Sequence, residues 1–278
     1  LYFICAAEGR TDDSRSIADG VAARDPRLTV LCQSNAGVSR ARNRGLEVAR
    51  GHYFFFVDAD DVVHPDLLRT LLAVARLTDA DLVSSEIQTF DGSEPPVPGP
   101  LSGPFRIESA DREDALRSLL YSWGMVGGAV AKLYRKSALG GLRFAEGVAH
   151  AEDVYFSYEA LAASSRTVRV SVCGYGYRRH GSSAVHTDFQ PARMSGMEVM
   201  KRIYEDSLQE PRLSAAASYR LFVEAVHILL TPGMSDGRWT DENTECFRVV
   251  RLLRRSVLRD PAASWSRGKS FALASAAG

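Results

Sequence analysis

Gly51-His-Tyr-Phe-Phe-Phe-Val-Asp58-Ala-Asp60-Asp61 is the stretch on which the fold turns. Tyr53 to Val57 is an unbroken β-prone run, which reads as a strand buried on both faces. It ends in Asp58-Ala59-Asp60-Asp61. The carboxyl end of a buried strand is where open α/β sheets bind ligands. Carboxylates this close repel one another and are hard to desolvate. A hard divalent cation held by Asp58, Asp60 and Asp61, Mn²⁺ or Mg²⁺, would relieve both costs and would also bind a diphosphate. The plainer reading is a solvated acidic turn before Pro65.

Upstream, Leu1 to Ala6 reads as a strand, and Ile17, Val21 and Ala22 form a helical stripe that Asp25-Pro26 ends. Leu28 to Cys32 is a second strand. Asn35-Ala36-Gly37 is a turn, and Val38 to Arg50 is a helix closed by Gly51. Downstream, Pro65 opens a helix through about Leu77, and Asp81 to Ile87 is another strand. This alternation predicts an α/β fold on a parallel sheet. After a Pro- and Gly-rich stretch over 91–104 come a helix near Arg112 to Tyr121, a Gly-rich run from Gly124 to Gly128, and a helix near Asp153 to Ala163. Val168 to Val172 is a strand, the pattern is helical from about Met194, and the last dozen residues are expected to fray. The division expected is 1–90, 91–190 and a helical 191–278.

Formal net charge is zero over 278 residues, so no global field draws the chain to nucleic acid. No apolar run is long enough to span a bilayer, and the start lacks a basic leader segment. The four cysteines are scattered with no Cys-x-x-Cys pair, which fits a reducing cytoplasm.

Three further constellations carry chemistry. In Asn35-Ala-Gly-Val-Ser39-Arg40-Ala-Arg42-Asn43-Arg44-Gly45, helical spacing makes Val38, Ala41, Gly45 and Ala49 the buried stripe. Ser39, Arg42 and Asn43 share a neighbouring face, and a helix N-terminus bearing Ser and Arg suits an anion. A solvated basic face is the alternative. In His150-Ala-Glu152-Asp153-Val-Tyr-Phe156, paired acids open a helix whose Val154 and Tyr158 point inward. One of them could take a proton from a hydroxyl, or both could simply complement the helix dipole. Tyr175-Gly-Tyr177-Arg178-Arg179-His180-Gly-Ser182-Ser183 offers arginines for phosphate, or is a surface turn.

Read together and in order, Asn35–Leu46, Gly51–Asp61, Lys132-Leu-Tyr-Arg135 and Glu152–Phe156 resemble bacterial family-2 inverting glycosyltransferases of the GT-A fold. The likeness covers roughly residues 1–185, and is nearest to enzymes that make capsular, teichoic or lipopolysaccharide glycans. It implies that a nucleoside-diphosphate sugar is the donor and a glycan or lipid-linked hydroxyl the acceptor. By the same likeness Asp58 and Asp60 hold the metal with Asp61 beside them, and Asp153 or Glu152 is the base. Asn35, Ser39, Arg42, Asp58, Lys132 and Arg178 would lie on the donor side. Such enzymes usually carry Val-Asp-Asp-Gly-Ser-x-Asp after a strand like Leu1 to Ala6; here the run is Ala6-Ala7-Glu8-Gly9-Arg10-Thr11-Asp12. The family's opening strand has no counterpart in the sequence. The strands at Leu1 and Tyr53 are therefore expected either to leave edges unpaired or to close on each other.

Two other readings compete. One is a non-catalytic relative acting as a binding module, which Ala7 and the missing strand favour. The other is a haloacid-dehalogenase-type phosphatase, because Phe54 to Val62 also fits that class's Asp-x-Asp signature, with Asp58 as nucleophile. The helix around 243–259 interleaves Phe247, Leu252 and Val257 with Arg248, Arg251, Arg254, Arg255 and Arg259. It could contact an anionic membrane surface at the inner face of the cell membrane, or pack on its own domain.

Overall fold

The computed structural model describes residues 1–8, 13–92, 101, 104–138, 141–179, 189–234 and 240–263. In chain order its first elements are β1 (Phe3–Glu8), α1 (Ser14–Ala22), β2 (Leu28–Gln33), α2 (Val38–Val48), β3 (Tyr53–Phe55), β4 (Val62–Val63), α3 (Leu67–Thr78) and β5 (Leu82–Asp91). Then follow β6 (Ile107–Ala110), α4 (Arg112–Leu120), β7 (Lys132–Arg135), α5 (Glu152–Ala163), β8 (Thr167–Arg179), α6 (Met194–Asp206), α7 (Pro211–Leu229) and α8 (Asp241–Arg259). The expected fraying at the C-terminus lies outside the described residues.

The strands form two sheets. β1 and β2 pair in parallel, Phe3 opposite Leu28 through Glu8 opposite Gln33. The larger sheet has the order β3-β7-β5-β8-β4, with β6 also on β8. It draws on both the 1–90 and the 91–190 parts of the chain. Among the described residues, β1 and β3 each have a strand on one side only. The two do not close on each other.

The larger sheet is mixed, not parallel. β7 runs antiparallel to both β3 and β5, while β5 and β8 run parallel. The short apolar run at Lys132 enters between β3 and β5 from the opposite direction. β8 also extends well past Val172, because Tyr175, Gly176 and Tyr177 pair with β5 and β4. The glycines there serve close packing rather than a turn. A Cβ on Gly174 would stand 3.0 Å from Leu67.

Two helices differ from the periodicity argument. α2 buries Ser39 and Asn43, while Val38 is exposed. Asn43 is held there because its amide pairs with the Phe144 backbone, while Leu46 packs against the larger core. α1 has no buried residue, and Ile17 is 64% exposed. Its apolar stripe finds no cover among the described residues.

α3 packs on one side of the large sheet through Leu67, Leu71 and Ala75. α4, α5, α6, α7 and α8 form the other, larger core with Leu82 and Tyr134 of the sheet. α8 begins with a capping box between Thr240 and Asn243 and buries Cys246, Val249, Val250, Leu253 and Val257, packing against α7. Packing on its own domain therefore accounts for one face of this helix. No described helix is long and apolar enough to cross a membrane.

Candidate functional site

An aromatic cluster seats the site. The Phe144 and Phe156 rings stack with centroids 4.0 Å apart, and Phe56 meets them edge-on at 5.1 and 5.6 Å. Tyr134 packs against Phe56 and Phe156. Each ring lies a few residues from a polar group of interest. Phe56 precedes Asp58, Phe156 follows Asp153 by less than one helical turn, and Tyr134 shares β7 with Lys132. Phe144 is gripped by Asn43, whose side-chain amide accepts from the Phe144 amide (2.8 Å) and donates to its carbonyl (2.9 Å). A buried amide so paired fixes α2 against the cluster.

Arg42, one residue before Asn43, reaches over the Phe144 ring with its guanidinium carbon 5.1 Å from the centroid. It donates to Asp58 Oδ1 (2.8 Å) and Glu152 Oε1 (3.2 Å). The expected strand end and the expected acidic helix start are thus joined through one side chain. Burial works against the charge on Arg42, but Asp58, Asp153 and Glu152 outweigh it and raise its pKa. Glu152 is also raised, by burial and by neighbouring Asp153, with Arg42 opposing. The ion pair alone would lower an acid; here desolvation wins. Glu152 shares Arg42 with Asp58. Asp153 accepts from the Val154 amide through Oδ1 (2.8 Å), and its Oδ2 lies so near Gly128 that a Cβ there would come within 2.5 Å.

The acidic turn is tied to β8. Asp61 Oδ2 accepts from the Tyr175 hydroxyl (2.6 Å), and Oδ1 accepts from the Arg178 amide (2.9 Å). The same hydroxyl oxygen accepts from the Asp58 amide (3.2 Å). Burial raises the Asp61 pKa, against those two hydrogen bonds, and Asp58 and Asp60 add to the rise. The Arg178 guanidinium donates to the Asp60 carbonyl (2.8 Å) and to the Gly92 carbonyl, and lies over the Phe90 ring.

Several expected site residues come together and others do not. Arg42, Asp58, Glu152 and Asp153 share one electrostatic neighbourhood. Asp58, Asp60 and Asp61 do not make a three-carboxylate metal site; no such group of acids, histidines or cysteines exists among the described residues. Both Asp61 oxygens accept hydrogen bonds within the protein. Of the pair Asp58 and Asp60, Asp60 too has an interaction within the protein, while Asp58 is 35% exposed with its Oδ2 outside any hydrogen bond among the described residues. That donor set fits a divalent cation that completes its shell with phosphate oxygens and water.

Lys132, expected at the donor, is fully buried, and its ammonium donates to the carbonyls of Val126 (2.6 Å) and Gly128 (2.5 Å). The short buried strand β7 carries it into the interior. Ser39 is buried too, and its hydroxyl has no partner among the described residues. Asn35 is exposed ahead of α2. His180, Ser182, Ser183 and residues 9–12 lie outside the described residues. Tyr175 and Gly128 lie in stretches marked out by sequence but were given no role, and Phe144 was not named. For Tyr175 the signal was its alternation with Tyr177, which marks a strand rather than a turn.

The profile described as "Glycosyl transferase family 2" matches residues 3–142. The uncharacterized glycosyltransferase EpsJ of Bacillus subtilis is 30% identical over 201 residues, 69% of this chain and 56% of that protein. Glycosyltransferase GlyG of Streptococcus pneumoniae is 28% identical over 195 residues, covering 68% of this chain and 64% of its own. The chain thus spans about half to two thirds of the length of these curated relatives. The crystal structure of S. aureus TarS 1-349 in complex with UDP-GlcNAc superposes with a TM-score of 0.65 at 17% identity, over 95% of this chain and 72% of that one.

Proposed function

The chain belongs to glycosyl transferase family 2 and has the GT-A fold, and from that premise we propose that it moves a sugar from a nucleoside-diphosphate sugar to a hydroxyl acceptor with inversion. The observation that supports this most directly is Arg42, which spans Asp58 at the sheet end and Glu152 at the start of α5. A donor diphosphate at the first and an acceptor hydroxyl at the second would be neighbours across one side chain.

In this reading Asp153 takes the proton from the attacking hydroxyl as the hydroxyl oxygen bonds to the anomeric carbon. Its carboxylate is not paired with Arg42, whereas Glu152 is. Arg42 faces the departing diphosphate and orients Glu152. Asp58 and Asp60 would hold Mn²⁺ or Mg²⁺, which when bound offsets the charge of the leaving diphosphate. Asp61, through Tyr175 and the Arg178 amide, holds the turn on which those two carboxylates stand.

TarS is described in complex with UDP-GlcNAc, which makes that sugar nucleotide the first donor to try. The acceptor is a glycan or lipid-linked hydroxyl in cell-surface glycan synthesis. For such an acceptor the exposed face of α8 offers a contact with anionic lipid. Arg251, Arg255 and Arg259 lie on that face beside Leu252, which is 70% exposed, and Phe247.

The test is release of nucleoside diphosphate from a panel of sugar nucleotides, with and without saccharide acceptors. Acceptor-stimulated release from at least one donor is expected. Binding of a sugar nucleotide without turnover under any condition would instead favour the non-catalytic binding module.

A further inference from the structure

Lys132 has no exposed surface, and among the described residues it forms no ion pair. A buried ammonium is costly to hold, and a methionine or leucine would fill the same space without that cost. What the lysine does is grip a loop. Its Nζ donates to the carbonyls of Val126 and Gly128, in the segment that links α4 to β7. Burial lowers its pKa to about 7, and Asp153 opposes the fall, so the ammonium lies within the field of that carboxylate. Either protonation form keeps the two N–H donors that hold the loop.

The loop's other face explains why its position matters. Gly128 stands so close to Asp153 that a Cβ built on it would sit 2.5 Å from Oδ2 and 3.5 Å from the carboxyl carbon. One residue thus has its carbonyl fixed by Lys132 and its Cα pressed on Asp153. The neighbouring glycine, Gly127, is less confined: a Cβ built there would make an ordinary contact with Val154 at 3.9 Å.

We infer that Lys132 is a positioning residue for Asp153, holding the Val126–Gly128 backbone as the wall against which the carboxylate is set. This rests on the reading of Asp153 as the base that meets the acceptor. It differs from a donor contact: Lys132 is fully buried, and it acts through Gly128.

The experiment uses Lys132→Met, Gly128→Ala and the double variant. Hydrogen exchange is followed over 124–130, and the carboxyl carbon resonance of Asp153 is assigned by its loss in Asp153→Asn. Turnover is read as UDP released from UDP-GlcNAc. Lys132→Met is expected to speed exchange at 126–128 and to displace the Asp153 resonance. It should lower turnover by up to about 10²-fold with UDP affinity nearly unchanged, since a misplacement of about 1 Å has that effect. Gly128→Ala should displace the same resonance and lower turnover while Lys132 stays in place. The double variant should lose less than the product of the two single losses, because both act on one carboxylate. An unmoved resonance in both variants, multiplicative losses, or a loss confined to UDP affinity overturns the inference. If Lys132→Met does not fold, Gly128→Ala carries the resonance and turnover arms alone. If the wild-type chain releases UDP from no donor, the transferase reading fails, and the resonance and exchange arms still decide the role of Lys132.

Discussion

The Tyr175 hydroxyl donates to Asp61 Oδ2 over 2.6 Å, and so clamps the acidic turn onto β8. The same oxygen accepts from the Asp58 amide, so a single phenol sets the backbone of a donor-side carboxylate and the side chain of its neighbour. Tyr175→Phe keeps the ring and removes both bonds. The expected loss is about 1–3 kcal/mol of unfolding free energy, the range for stranding a buried acceptor. UDP affinity in the presence of Mn²⁺ should fall with it. Urea denaturation and calorimetry measure the two, and unchanged affinity would show that the turn holds its shape without the clamp.

Metal dependence is expected to rest on Asp58 and Asp60. UDP should bind more tightly with Mn²⁺ or Mg²⁺ than in chelator, and Asp60→Ala should erase the difference. Asp61→Asn should weaken binding less, since Asp61 is spent on Tyr175 and the Arg178 amide. Equal calorimetric affinity with and without metal would remove the cation from the mechanism.

The two acids that open α5 separate by substitution. Asp153→Asn should lower turnover by about 10²–10⁴ with donor affinity close to normal. Glu152→Gln should act more mildly, by loosening Arg42 from one of its partners. The reverse order of losses would identify Glu152 as the base.

Stability should depend on pH through Lys132. Its pKa falls from 10.5 unfolded to about 7 folded. Below pH 7 both states carry the proton, and the folded state bears the full cost of the buried charge. Between about pH 7 and 10.5 the unfolded chain binds more protons than the folded one, so this contribution to stability rises with pH. It is lost as pH falls through 7. Denaturation of wild type against Lys132→Met across pH 6 to 10 should show the difference between them shifting toward wild type as pH rises. A constant difference would mean that the group titrates alike in both states.

Vesicle flotation tests the outer face of α8. The chain should float with vesicles containing anionic lipid and not with purely zwitterionic ones. Arg251→Ala, Arg255→Ala and Arg259→Ala combined should abolish it, as should high salt. Failure to float with anionic vesicles would leave that arginine stripe as a solvated surface.

Much of the fold was legible because it is written in local pattern. The runs at Leu28 and Leu82, the helices at Arg112 and Glu152, and the helical C-terminal part all follow from periodicity and punctuation. β7 escaped because four residues are too few to show a period, and its basic Lys132 does not look like the interior of a sheet. α2 misled because its inward side chains, Ser39 and Asn43, are polar. Asn43 is buried by hydrogen bonds to Phe144, a residue 101 positions away. No local pattern carries such a contact. The acidic turn was visible, but the engagement of Asp61 depended on Tyr175 and Arg178, more than a hundred residues on.

The two sheets share no strand pairing among the described residues, and α2 packs on the smaller one while its side chains reach the site. It packs on β1, with Gly45 facing Ile4, and it reaches the larger sheet's site through Arg42 and Asn43. Among the described residues, α2 is thus a link between the halves. On heating, the β1–α1–β2 unit should melt as a separate calorimetric event below the main transition. A sugar nucleotide lying across both halves would draw the two peaks together, so its binding could be read from the number of transitions as well as from their midpoints.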